Sequence, residues 1–494
     1  MTLRQIRIFI AGIVFSLFFL TFLSGFYLAG IFIFFQFIPS LIAWEFNAVI
    51  TGFISVLILT IIFGRLYCSI LCPLGIFQDI ISKITKQKNN TSKLNYSFIR
   101  YLILITCYLS LLLGNLLFIN ILDPYSLFGK IVTTLFLPLV SLLNDSLLLV
   151  LKFYNIYIYP IQSPNISLYT FIFVFTFFIF LIVIVSTKGR LYCNTICPVG
   201  AFLGIISKFS IFRFSIESDK CISCKLCEKK CKANCIDIDQ NNIDMSLCVA
   251  CFNCIDICPK SAVTYNLSIS NKQNISINGE RRNFVSKAFA LSLSILSIPL
   301  RTNSKPLFNH EQPIIPPGSI SINHFTSRCI ACNLCVASCQ TKVLKIGEFQ
   351  YGVLNIMQPY LDFNKGFCSY ECNACLNYCP TQAIMPFNLQ EKRLIKIGSV
   401  KFSEKYCVVH AKKKDCGACA EVCPTHAVHM IKRDKLFYPN INESLCIGCG
   451  ACQFVCPTKP KSILVDSLNV HSKAKQQTQE VLKKPQTVNE DFPF

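Results

Sequence analysis

The sequence predicts an α-helical membrane domain, four spans plus one anchor, joined to small α+β domains folded around cysteines. Three observations predict it. Hydrophobic residues make up 53% of 494 positions and charged residues only 15%, and the mean hydropathy is +0.50. The apolar mass lies in long runs within the first 190 residues. Thirty cysteines recur at short, fixed spacings. This composition excludes a disordered chain, a small disulfide scaffold and a soluble single-domain enzyme. At roughly 100–200 residues per domain, the length allows about three domains.

The run Ile8–Phe35 contains no charge and is flanked by Arg4 and Arg7. A span needs about 20 apolar residues. A cleaved signal would have a core of about 7–15 residues and a small-residue cleavage site, so this run reads as an uncleaved first helix. Three further spans are expected at Asn47–Phe63, Tyr101–Leu122 and Leu168–Ser186. The apolar stretch Ile131–Leu151 carries Pro138, Asn144 and Asp145, and reads as an interfacial or re-entrant segment. Lys and Arg concentrate after the second span (Arg65, Lys83, Lys86, Lys88, Lys93, Arg100) and after the fourth (Lys188, Arg190, Lys208, Arg213). The positive-inside bias then puts those loops and the N-terminus in the cytoplasm.

The segment GRLYCSILCPLGIFQDIISK (64–83) aligns without a gap on GRLYCNTICPVGAFLGIISK (189–208), at an offset of 125 residues. The membrane part, residues 1–213, therefore reads as two similar halves. Each contributes a C-x3-C-P motif: Cys68 and Cys72 in one, Cys193 and Cys197 in the other. Thiolates are soft ligands that suit iron, zinc or copper(I). The four could share an extra metal or iron–sulfur site, or they could be reduced thiols that pack or exchange electrons.

Beyond residue 220, 24 cysteines fall into six groups of four. They are Cys221, Cys224, Cys227 and Cys231; Cys248, Cys251, Cys254 and Cys258; Cys329, Cys332, Cys335 and Cys339; Cys368, Cys372, Cys375 and Cys379; Cys407, Cys416, Cys419 and Cys423; and Cys446, Cys449, Cys452 and Cys456. Four groups follow C-x2-C-x2-C-x3-C, and Pro259, Pro380, Pro424 and Pro457 each follow a last cysteine. In the bacterial ferredoxin run, three close thiolates wrap one [4Fe–4S] cube and the fourth reaches the neighbouring cube. Six clusters in ferredoxin-like α+β domains are predicted. Cys221, Cys224, Cys227 and Cys258 are expected on one cluster, and Cys248, Cys251, Cys254 and Cys231 on another, with Cys235 as a substitute for Cys231. The spacing leaves the pairing among the last four groups open. Two groups are loosened: Cys368-x3-Cys372 gains one residue, and Cys407-x8-Cys416 holds Lys412, Lys413 and Lys414. Cys107 lies in an apolar run and reads as a small hydrophobe.

Residues 281–300, RRNFVSKAFALSLSILSIPL, resemble a twin-arginine signal. That resemblance implies export of a folded, cluster-bearing domain, with 281–303 retained as an anchor. The expected organisation is then a membrane domain (1–213), a cytoplasmic two-cluster ferredoxin (214–265), the anchor, a Pro-rich semi-extended linker (304–319), an exported four-cluster domain (320–466) and a polar tail (467–494).

On these motifs, residues 1–265 resemble the NapH/MauN family of membrane ferredoxins. Residues 281–465 resemble the twin-arginine NapG/MauM polyferredoxins, in which a long gap also follows the first cysteine of the third motif. The resemblance implies a quinol dehydrogenase module in the bacterial inner membrane. It would take electrons from the membrane quinol pool and pass them to a periplasmic cytochrome or reductase of nitrate or nitrous oxide type. The alternative is an electron-supplying maturation factor for an amine dehydrogenase or copper enzyme. No GxGxxG or Walker run marks a terminal substrate site. Glu45 and Asp123 are polar groups at membrane edges, without a catalytic assignment. The net charge of +21 suits docking of an acidic redox partner, and no nucleic acid is expected.

Overall fold

The computed structural model describes residues 2–25, 30–43, 49–85, 97–155, 163–164, 166–267, 312–433 and 435–475. The twin-arginine-like segment 281–303, Glu45 and residues 476–494 lie outside them.

The first helix, α1, runs Leu3–Ser24. Thr2 and Gln5 close a capping box at its start, and Gly25, with φ 67°, ends it. Only a residue that tolerates the left-handed conformation closes a helix this way, so the charge-free run Ile8–Phe35 is broken at Gly25 rather than continuing to Phe35. At 1.5 Å per residue α1 is about 33 Å long, close to one bilayer core.

Among the described residues, three helices are long and apolar enough to cross a membrane: Leu3–Ser24, Pro124–Phe153 and Leu168–Lys188. The second corrects the sequence reading. Asp123 caps its start by accepting from the Ser126 amide at 2.7 Å, and Pro124 opens the first turn. Pro138 lacks the N–H that an α-helix needs, and the turn before it widens to a π-segment over Val132–Phe136. The widened turn absorbs the proline without ending the helix, so Ile131–Leu151 belongs to a 30-residue helix. The third expected span is shorter than read, and the second begins outside the described residues. The helix Val49–Phe63 has 15 residues. The helix Ser97–Leu112 stops before Gly114 (φ 70°), and a separate turn, Leu117–Leu122, follows.

In the N-terminal ferredoxin, β1 (Phe212–Ile216) pairs antiparallel with β2 (Val263–Leu267). Two five-residue helices, Leu226–Lys230 and Asn253–Ile257, pack together between them. This unit sits on the membrane domain: the Ile211 amide donates to Ile61 O at 2.8 Å and the Tyr265 hydroxyl to Phe63 O at 3.0 Å.

The C-terminal ferredoxin contains two such helix pairs, Leu334–Ser338 with Ala374–Tyr378 and Ala418–Glu421 with Ala451–Val455. Its longest ladder joins β3 (Ile395–Phe402) to β4 (Ile463–Lys473). Residues 467–473 of the expected tail are therefore part of the sheet. The expected linker is also partly folded in: Leu361 N donates to Ile314 O at 2.9 Å and Met385 N to Gly318 O at 2.9 Å. The domain thus extends past both ends of 320–466.

Candidate electron-transfer centres

The halves of the membrane repeat interlock through their arginines. Helices Val49–Phe63 and Leu168–Lys188 end on Gly64 and Gly189, both at positive φ, and Arg65 and Arg190 follow, 0% and 1% exposed. Arg65 donates to Cys193 O at 3.0 Å, and Arg190 donates to Cys68 O at 2.9 Å. Each arginine grips the motif of the other half. In each half the second cysteine caps a helix, Pro73–Ile84 or Pro198–Ser207, whose first residue is the motif proline. Gly75 and Gly200 leave room for this crossing. A Cβ would lie 2.3 Å from Cys68 O at Gly75 and 1.9 Å from Cys193 O at Gly200.

All four thiols are buried, and Cys68, Cys72, Cys193 and Cys197 stand within electrostatic reach of one another. Among the described residues no three His, Cys, Asp or Glu side chains close on a single-ion site. A tetrahedral zinc would draw its thiolates to within bonding distance, about 2.3 Å, of one point.

The charge around the two arginines differs. Asp79 forms ion pairs with Arg190 at 3.0 Å, Arg7 at 3.1 Å and Lys232 at 3.1 Å. Burial alone would raise its carboxyl, but these cations hold it well below the usual carboxylate range. The equivalent position in the second half, 125 residues on, is Gly204. There Arg65 takes neutral acceptors, Asn194 Oδ1 at 2.7 Å and Ser246 O at 3.0 Å, and Arg100 also donates to Ser246 O, at 3.1 Å.

The N-terminal ferredoxin holds two thiol-lined pockets, partly open to solvent. One is lined by Cys221, Cys224, Cys227 and Cys258, the grouping expected from the spacing. The other is lined by Cys231, Cys248, Cys251 and Cys254, with Cys235 as a fifth thiol. Cys231 Sγ and Cys235 Sγ are 3.5 Å apart. The Cys235 thiol beside it lowers Cys231, and Cys235 itself is raised.

In the C-terminal ferredoxin the thiols exchange partners within two pairs. Cys379 joins Cys329, Cys332 and Cys335, and Cys339 joins Cys368, Cys372 and Cys375. Cys423 joins Cys446, Cys449 and Cys452. A cavity of about 370 Å³ is lined by Cys407, Cys416, Cys419 and Cys456. Four thiols around one cavity, three from one loop and one from its partner, fit a [4Fe–4S] cube better than a closed zinc site.

These groups lie along one path. At the start of α1, Arg4 pairs with Asp256 of the N-terminal ferredoxin. At its far end, Gly25 lies against the Ala337–Ser338 backbone of the C-terminal ferredoxin. Between them, Arg65 bridges Ser246 O to Cys193 O, and the Tyr192 hydroxyl donates to Leu122 O at 2.9 Å. Ser126 Oγ then donates to Ile330 O at 2.7 Å, and Gly129 lies against Cys332 O. Further out, Cys368 N donates to Cys449 O at 2.9 Å. The Cys407 group shares its helix pair with the Cys446 group and so comes one step further along this series of contacts.

The model of a 4Fe-4S binding domain matches residues 48–91 and 170–217, the two halves of the membrane repeat. That of a 4Fe-4S dicluster domain matches 367–427 and 414–459. Two uncharacterized proteins of Methanocaldococcus jannaschii are similar. One is 39% identical over 80 residues, 16% of this chain and 32% of that protein. The other is 27% identical over 232 residues, 45% of this chain and 81% of that protein. The putative electron transport protein YccM of Escherichia coli K12 is 30% identical over 92 residues, 18% of this chain and 26% of YccM. The chain thus spans about a third of the first of these relatives and about a quarter of YccM. With the thiol geometry, these matches identify a protein with 4Fe–4S binding domains and, among the described residues, helices long and apolar enough to span a membrane.

Sequence reasoning missed the reciprocal arginine grip, Asp79 and the exchange of thiols in the C-terminal ferredoxin. The matched Gly–Arg pairs at 64–65 and 189–190 were the visible signal for the first. Nothing local marks Asp79, whose partners come from three separate segments.

Proposed function

We propose that this chain is a membrane conduit that takes electrons from quinol and carries them through six [4Fe–4S] centres to a reductase or cytochrome on the far side. The observation that carries this reading is α1: about 33 Å long, it meets one ferredoxin at Arg4 and the other at Gly25. Ferredoxins at opposite ends of a bilayer-length helix suit opposite membrane faces. The resemblance to NapH- and NapG-type proteins supports quinol as donor, and the similarity to YccM, a putative electron transport protein, supports electron transport.

In this reading Cys68, Cys72, Cys193 and Cys197 would hold an additional polynuclear centre between the two ferredoxins. The match of the 4Fe-4S binding domain to both halves supports this. When bound, the clusters accept and release single electrons; quinol supplies two, along with two protons. Arg65 and Arg190 fix the motif backbones and put positive charge beside the thiolates. The exposed Lys412, Lys413 and Lys414, next to the outermost thiol group, suit an acidic partner.

The test is anaerobic addition of a menaquinol or ubiquinol analogue to membranes holding the full chain, followed by optical bleaching and spin-resonance spectra. Reduction of the clusters is the expected result; clusters that dithionite reduces but quinol does not would remove the quinol reading. Periplasm-only reporters fused after residues 265 and 320 check the topology: silence at 265 and activity at 320 are expected.

A further inference from the structure

The fourth cysteine of every group in the C-terminal ferredoxin has a threonine two positions on: Thr341, Thr381, Thr425 and Thr458. The structure turns each hydroxyl onto the preceding sulfur. The distances are 3.8 Å for Cys339, 3.7 Å for Cys379, 3.8 Å for Cys423 and 3.2 Å for Cys456. Cys456 has a second hydroxyl, Ser462 Oγ, also at 3.2 Å. In the N-terminal ferredoxin the matching positions are Ala233 and Lys260, which have no hydroxyl. Cys231 instead faces the thiol of Cys235, a weak donor. Backbone donors do not separate the domains: Ala262 N reaches Cys258 Sγ at 3.2 Å, and Ile384 N reaches Cys379 Sγ at 3.5 Å.

A ligating thiolate has no proton to give, so in each of these contacts the hydroxyl donates and the sulfur accepts. Adding an electron to a cluster places more negative charge on its sulfurs. A donor aimed at sulfur therefore stabilises the reduced state more than the oxidised one and raises the potential. The effect scales with the number and closeness of donors.

We propose that these hydroxyls grade the potentials along the chain, so that the centre held by Cys407, Cys416, Cys419 and Cys456 is the highest in potential and is where electrons leave. It has two hydroxyl donors and the shortest contacts of the series. It also comes last in the series of contacts that starts at the membrane domain. The three inner centres of the same ferredoxin have one hydroxyl donor each, at 3.7–3.8 Å, beside backbone amides 3.4–3.5 Å from Cys379, Cys423 and Cys446, and the N-terminal pair lacks the threonine. Electron flow then runs downhill from the membrane side outward. The inference rests on reading these thiols as cluster ligands, but on neither quinol nor a particular acceptor.

The test is a redox titration of the purified full chain followed by low-temperature spin resonance, with iron and acid-labile sulfide measured on each sample. Ser462→Ala is expected to lower one centre, the highest, while leaving the others in place. A lost hydrogen bond to a charged group justifies roughly a tenfold fall in its reduction constant, equivalent to about 59 mV for one electron. Thr458→Val should act in the same direction, and Thr458→Ser should restore the wild-type value. Full iron content with an unmoved highest centre in both Ser462→Ala and Thr458→Val would overturn the proposal. Should either variant lose iron, Thr381→Val reads the same device at the Cys329 group: a lowered centre supports grading and an unmoved one rejects it. Wild-type protein without iron or sulfide would instead remove the ligand reading itself.

Discussion

The two halves of the membrane repeat share GRLYC, C-x3-C-P and the following glycine, yet only the first places a carboxylate against the crossing arginine. In that half Asp79 gathers Arg190, Arg7 and Lys232. In the other, Gly204 takes its place, and a Cβ there would lie 1.7 Å from Arg100 Nη2. The backbone cross-grip is symmetric and the charge is not. The shared residues build the frame, whereas the differing position decides where negative charge must come from. Beside Arg65 and Arg100 the hydrogen-bond acceptors are neutral, which suits the thiolates of a bound centre as counter-charge.

The frame itself is the most sensitive point. Gly75→Ala and Gly200→Ala would each gain about 1 kcal/mol of helix propensity. Both nevertheless force a Cβ into a carbonyl and to within 3 Å of an arginine of the opposite half. Little or no monodisperse protein in detergent is expected from either, and equal loss from both would confirm the symmetry of the frame.

Asp79→Asn should come next, because it leaves three cations around a neutral group. Breaking a buried pair costs about 3–5 kcal/mol, read as a lower midpoint of unfolding in micelles. The pH dependence has a definite sign. The folded carboxyl titrates below its unfolded value, so its contribution is complete above about pH 4 and is lost as pH falls further toward the depressed folded value. Wild type should therefore shed this stability only below about pH 4, and Asp79→Asn should lack that acid limb.

The counterpart in the second half is Asn194→Ala, which removes one of the neutral acceptors of Arg65. About 1.5–3 kcal/mol is expected, less than for Asp79→Asn; a larger loss than at Asp79 would reverse the comparison. Ser126→Ala tests the outer contact. Losing one hydroxyl bond to Ile330 O should weaken the seat of the C-terminal ferredoxin by about 1 kcal/mol, seen as faster limited proteolysis. The smallest effect concerns the five-thiol cavity. A cube takes four protein thiolates, so Cys231→Ser should release iron from one centre while Cys235→Ser retains it, by metal analysis.

Much of this was legible in the chain. The cysteine spacing fixes which thiols share a loop, and it gave both groupings of the N-terminal ferredoxin, since Cys258 and Cys231 follow their own loops at x3 spacing. In the C-terminal ferredoxin four loops offer several exchanges. Only the packing of Leu334–Ser338 on Ala374–Tyr378, and of Ala418–Glu421 on Ala451–Val455, chooses among them. Helix ends were read less well. Hydropathy does not register the left-handed turn at Gly25, and Pro138 looks like a break until a π-turn accommodates it.

By itself the sequence determined the ligand chemistry, the duplicated membrane motif and the threonine that follows each outer group, because these depend on residue type and short spacing. The tertiary structure alone decided that Arg65 and Arg190 cross between halves, that Asp79 collects cations from three segments, and that Ser462 joins Thr458 at Cys456. Such contacts join residues up to 181 positions apart, as in Arg65 to Ser246. Their energy comes from burying charge and hydrogen-bond donors together, which no local pattern along the chain records.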